Sequence, residues 1–119
     1  MNQEEAVRAR QRLWNAVALL ASPADTQKAW LKRVGTYPLA DELVLEFDDC
    51  AVLTNQLVQS RALSEATASA IDGVAKAIDR LQSVETDWDA EALADSMEWS
   101  RVRRAAGFAL VEIVGAQAV

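Results

Sequence analysis

Apolar residues recur at helical spacing along most of the chain, and short polar breaks separate the periodic runs. The first run predicts a helix over Gln3–Ala21, with Val7, Trp14, Val17 and Leu20 as a stripe, Leu13 and Ala18 widening it, and Arg8 and Arg12 pointing outward. Glu4 and Glu5 fall in its first turn, where the helix dipole favours acids. Ser22-Pro23-Ala24-Asp25 then ends one helix and opens another, about Pro23–Val34. Ser22 suits a cap, Pro23 the first helical position and Asp25 the acid of a capping box. Trp30, Leu31 and Val34 are the apolar positions of this second helix. Gly35-Thr36-Tyr37-Pro38 is the clearest break, because glycine takes the left-handed position after a helix and proline pushes the residue before it out of helical geometry.

The densest apolar run, Asp41–Arg61, is the stretch around which the rest is organised. On a helical wheel Leu43, Phe47, Cys50, Thr54 and Leu57 share one face with Val44, Ala51 and Val58, the broad stripe of a core-facing helix. Glu42, Glu46 and Asp49 cluster on the other side, interleaved with Leu45, Val52 and Leu53. Leu43–Phe47 alone also reads as a strand, but helical spacing is kept for longer than a usual strand and no hairpin partner is visible. An outer face both acidic and apolar belongs to a central element or to half of an interface.

Ser64-Glu65-Ala66-Thr67 opens a fourth helix ending near Ser83, with Ile71, Val74, Ile78 and Leu81 as a narrow seam and Ala70 and Ala77 permitting close approach. Thr86-Asp87-Trp88-Asp89 marks another start, with a short helix about Asp89–Asp95 and Leu93 inward. Ser96 caps a last helix, Met97–Gly115, on which Trp99, Val102, Ala106, Ala109, Leu110 and Ile113 share a face. No repeat or linker interrupts these 119 residues, so the expected architecture is all-α: a single-domain bundle of about five helices over residues 1–119.

Composition supports helices, being half apolar with only four Gly and two Pro. The N-terminal stretch alternates charged and apolar residues, unlike a secretory signal, and the apolar run Ala105–Val119 is shorter than the roughly 20 residues a bilayer crossing needs. A cytoplasmic protein without a membrane segment is therefore expected. The single cysteine, Cys50, reads as a small buried hydrophobe.

Charge distribution adds more than the net value of −6. Five acids (Asp41, Glu42, Glu46, Asp48, Asp49) and six more (Glu85, Asp87, Asp89, Glu91, Asp95, Glu98) occupy two stretches free of Lys and Arg, leaving the rest of the chain at +5. Such a field repels nucleic acid and favours a basic partner, although ordinary solubility accounts for it equally well. Arg8/Arg10/Arg12 and Arg101/Arg103/Arg104 would form a phosphate-binding patch if the first and last helices adjoined; pairing with the chain's own acids is preferred.

Catalytic chemistry finds little support. No His is present to activate a nucleophile, and the four glycines are scattered singly rather than gathered in a phosphate loop. Glu42, Glu46 and Asp49 have a spacing that suits a divalent cation, as in helical pyrophosphohydrolases, but the second acidic sets on offer, Asp72 with Asp79 or Asp89 with Glu91, do not repeat it. No catalytic residue, metal or cofactor is therefore assigned. Of the four tryptophans, Trp14, Trp30 and Trp99 fit apolar faces, while Trp88, flanked by Asp87 and Asp89, is either the anchor of a binding surface or a hydrophobic staple for the next helix.

The frame Trp88-Asp89-Ala90-Glu91-Ala92-Leu93-Ala94-Asp95-Ser96-Met97-Glu98-Trp99, followed by Val102, resembles a pattern in small helical bacterial proteins. In size, acidity and architecture the chain is similar to immunity proteins that neutralise the toxin domains of contact-dependent inhibition systems. That resemblance implies a cytoplasmic inhibitor, not an enzyme, whose acidic surface occludes a basic toxin domain, a nuclease being one possibility. The expected partner-binding residues are Glu42, Leu45, Glu46, Asp49, Val52, Asp87, Trp88, Asp89 and Glu91. The alternatives are a homodimer paired through Leu45, Val52 and Leu53, or a metal-dependent hydrolase built on Glu42, Glu46 and Asp49.

Overall fold

The computed structural model describes residues 1–84 and 88–117, with side chains through 115. They form an all-α bundle of seven helical segments: α1 (Gln3–Ala21), α2 (Ala24–Val34), α3 (Asp41–Ala51), α4 (Thr54–Gln59), α5 (Glu65–Val84), α6 (Ala92–Asp95) and α7 (Met97–Gln117). Five of these run three turns or more, as the hydrophobic pattern predicts.

The trunk consists of α1, α5 and α7. α7 packs on both α5 and α1, and α3 lies against α1. Leu13, Val17 and Leu20 from α1, Val74 and Leu81 from α5 and Trp99 and Val102 from α7 are almost fully buried. Each such side chain contributes on the order of 1.5–3 kcal/mol through burial. Buried Ala70, Ala106 and Ala109 allow the helix backbones to approach closely where long side chains would hold them apart. No helix among the described residues is long and apolar enough to cross a membrane.

The α1 stripe is centred on Ala6, Leu13, Val17 and Leu20, which leaves Val7, one residue and about 100° further round, exposed. Trp14 and Trp30 are half-buried where full burial is expected, and Val34 is exposed in the last turn of α2. Ser22 serves the helix it ends: its Oγ donates to Ala18 O at 2.8 Å, while α2 has no side-chain cap and Pro23 occupies the position just before it. The long helix expected over Asp41–Arg61 is broken at Val52–Leu53. There the Thr54 hydroxyl donates to Ala51 O at 2.7 Å, offering the chain a local alternative to helical bonding.

Other punctuation follows the expected chemistry. Gly35 ends α2 in the left-handed region with φ 83°. Ser64 Oγ accepts from Thr67 N–H at 3.0 Å to cap α5, and Ser96 Oγ accepts from Trp99 N–H at 3.3 Å to cap α7. After α4 the left-handed position falls to Arg61, with φ 63°, where nothing in the sequence signals it.

A fully buried polar side chain, Gln27, lies on α2. Its Nε2 donates to Leu20 O at 3.1 Å and to Leu19 O at 3.2 Å, adding to the bond that Leu19 O already accepts from Ser22 N–H at the end of α1. Its Oε1 accepts from Arg103 Nη1 of α7 at 3.4 Å. Burial lowers the pKa of that guanidinium below its ordinary value. One side chain thus ties together three helices.

Candidate partner-binding face

The two acidic stretches meet through main-chain bonds. Residues 38–40 run antiparallel to residues 88–90: Ala40 N–H donates to Trp88 O at 2.8 Å and Ala90 N–H to Pro38 O at 2.7 Å, with Leu39 opposite Asp89. Alternation along this clasp buries Ala40 and Ala90 and turns Leu39 outward, exposed. The sequence directly after Ala40 is the first turn of α3, so Asp41 and Glu42 are set beside Trp88 and Asp89.

Trp88 is half-buried, its ring edge-on to Trp99 with centroids 5.8 Å apart at 86°. This is the favoured geometry for two aromatic quadrupoles and fixes the indole in place. Its remaining surface, with Leu39, Asp41, Val44, Leu45 and Gln82, lines an open groove of about 410 Å³. Asp89 Oδ1 accepts from Glu91 N–H at 2.9 Å, and Asp89 O accepts from Ala92 N–H at 3.0 Å, which starts the turn into α6 and leaves the Glu91 side chain exposed. Trp88 therefore packs on the trunk and faces a groove at once, and its ring contact is with Trp99 of α7 rather than with α6, the next helix. Asp87 lies outside the described residues.

On α3 the expected set divides. Glu46 turns towards α1, its Oε1 3.4 Å from Arg12 Nε, and this contact raises the arginine pKa above its ordinary value. Glu42, one turn earlier on the same side, is half-buried. Asp49 is exposed, Leu45 leans into the groove, and Val52, 75 % exposed, lies beyond the end of the helix. Asp48 falls towards α5: burial, then the nearby charges of Asp79 and Asp49, push its carboxyl above the ordinary 3.8. The acidic field thus extends onto α5.

The carboxylates offer no clustered ligand set. Among the described residues no group of three Cys, Asp or Glu side chains converges as a metal site, and Asp72 pairs instead with Lys76 at 3.1 Å. Cys50 is buried, and burial raises its thiol pKa above the ordinary 9.0, away from thiolate chemistry. α1 and α7 do adjoin, but most arginines of the two sets contact groups within the chain. Arg8 lies 3.9 Å from Glu4, Arg10 reaches Ala62 O at 3.4 Å, Arg12 reaches Glu46, Arg101 pairs with Glu98 at 3.0 Å and Arg103 with Gln27.

Leu39 and Gln82 are groove residues that sequence reasoning did not name, Asp41 entered it only as a member of the acidic stretch, and Val44 only as a core-facing position. Comparison with protein-family models, with curated proteins and with solved structures finds no match for this chain.

Proposed function

We propose that this chain is an immunity-type binding protein of the bacterial cytoplasm that neutralises a basic toxin domain by covering it. The observation that carries this reading is the clasp between residues 38–40 and 88–90, which joins two acidic segments distant in sequence around one apolar groove. Trp88, Leu39 and Leu45 act as anchors, while Asp41, Asp49, Asp89 and Glu91, with Glu42 and Val52 at the margin, surround them. An aromatic anchor within a charged rim is the arrangement that gives an interface slow dissociation and steered encounter. The acids compete for the Lys and Arg that a toxin such as a nuclease would direct at phosphate. No chemistry by the inhibitor is required.

The test is affinity capture from the native cells by wild type and by an Asp41→Lys/Leu45→Glu variant, at low and high salt, with mass spectrometry and a growth-rescue assay of the captured protein. The expected result is one basic protein, retained by wild type, released as salt rises, lost with the variant, and toxic unless the wild-type chain is co-expressed. Equal retention by the variant would sink the assignment of this face, and a captured protein whose expression is harmless would sink the immunity reading itself.

A further inference from the structure

A larger exposed apolar surface lies on α7, formed by residues that do not line the clasp groove. Met97, Phe108 and Val111 are 66, 64 and 70 % exposed. Between Phe108 and α5 runs an open groove of about 620 Å³ whose α5 wall is made of small residues, Ala66, Ser69, Ala70 and Gly73. A Cβ placed on Gly73 would meet nothing within 4 Å, so no contact inside the chain requires glycine at that point of the wall. Arg104 and Glu112 also line the groove, four residues before and four after Phe108, which sets each about 6 Å along the axis from it on the same outer face. Among the described residues neither has an ion-pair partner.

We propose that this face joins two copies of the chain as a homodimer, with the α7 helices antiparallel about a two-fold axis beside Phe108. A two-fold axis there reverses height along the helix, so a residue four before Phe108 meets the residue four after it on the other copy. Arg104 of each copy then opposes Glu112 of the other, making two reciprocal ion pairs, and each Phe108 lies over the small-residue wall of the opposite α5. The complementarity is internal to one surface, the signature of an isologous interface. A parallel arrangement would set Arg104 against Arg104 and is disfavoured. The occupant is therefore a second copy rather than the basic partner proposed for the clasp face, to which Arg101 and Arg104 are electrostatically unsuited.

Sedimentation velocity and light scattering over a wide concentration range test this directly, without any toxin. Wild type is expected to move from the 13.0 kDa monomer mass towards twice that value as concentration rises. Phe108→Glu should stay monomeric with unchanged helical circular dichroism. Arg104→Glu and Glu112→Arg should each weaken dimerisation about tenfold or more by turning both pairs repulsive, and the double exchange should restore it. A wild-type mass that stays at the monomer value throughout would overturn the proposal, as would a dimer that survives Phe108→Glu or an exchange that restores nothing.

Discussion

The trunk of α1, α5 and α7 and the clasp side formed by α2, α3 and α6 are stabilised by different physics. The trunk buries long periodic stripes against one another, so its stabilisation is spread over many apolar side chains and no single polar contact decides it. The clasp side also buries Leu31, Leu43, Val44, Phe47 and Leu93, but on shorter helices, and it adds one pair of main-chain bonds and side chains that reach back: Gln27 to α1 and α7, and Trp88 to Trp99. Short helices, which depend on tertiary packing for their stability, open before long packed ones, and binding surfaces are drawn from such regions. The trunk thus sets global stability, and the clasp side presents the groove at lower local stability.

The sharpest way to break this comparison is at Trp99, which belongs to both regions. Trp99→Ala empties the largest fully buried side chain and removes the surface on which Trp88 rests, and should cost about 3–5 kcal/mol in urea unfolding. Trp99→Phe should cost markedly less, because the buried indole N–H has no hydrogen-bond partner among the described residues to lose. If the alanine variant lost less than about 1 kcal/mol, Trp99 would not be the joint between the two regions.

Gln27→Leu comes next. It keeps the volume but removes the amide bonds to Leu20 O and Leu19 O, the latter keeping its bond from Ser22 N–H, and deprives Arg103 of its acceptor, for an expected loss of about 1–3 kcal/mol. The faster amide exchange should appear in α2 and the clasp before it appears in α5. Uniform acceleration across all helices would show that the two regions unfold as one.

Trp88→Ala should cost about 0.5–1.5 kcal/mol beyond the lost burial of one ring edge, since the partner indole stays packed on its other sides. Its larger effect is expected in function. Under the immunity reading it should weaken capture of the basic partner far more than it weakens the fold, and equal effects would make Trp88 a structural residue only.

Much of the trunk was legible in sequence because its residues obey one period: the seam Ile71, Val74, Ile78 and Leu81 is buried as spacing predicts, and Ser64 and Ser96 cap where the pattern starts. The clasp was not legible, because pairing of residues 38–40 with 88–90 is non-local and neither segment carries a strand pattern. The break at Val52–Leu53 was hidden for the opposite reason. Apolar periodicity continues straight through it, and only the hydroxyl of Thr54 hints at a competing bond. The acidic stretches were plain in composition, but spacing alone could not show that Glu46 is turned to Arg12 while Leu45 faces the groove. Likewise nothing in the sequence marked Gln27, since burial of an amide is signalled only by the carbonyls it meets.

The smallest expected effect tests how the acidic face is balanced against the fold. Partial desolvation, then the charges of Asp79 and Asp49, raises the carboxyl of the largely exposed Asp48 above its ordinary 3.8, so the folded state favours the protonated form more than the unfolded state does. The sign follows from linkage. The stabilisation is complete below the unfolded value and is lost as pH rises through the folded one, so at neutral pH ionised Asp48 opposes folding. Asp48→Asn should therefore stabilise the chain at neutral pH by less than about 1 kcal/mol, because the exposed side chain is screened by solvent, and the gain should shrink with added salt and vanish in acid. Thermal melts of both proteins across that range check it. A variant less stable than wild type at neutral pH would mean that Asp48 takes part in a contact that outweighs the repulsion, and the acidic face would then support the bundle rather than strain it.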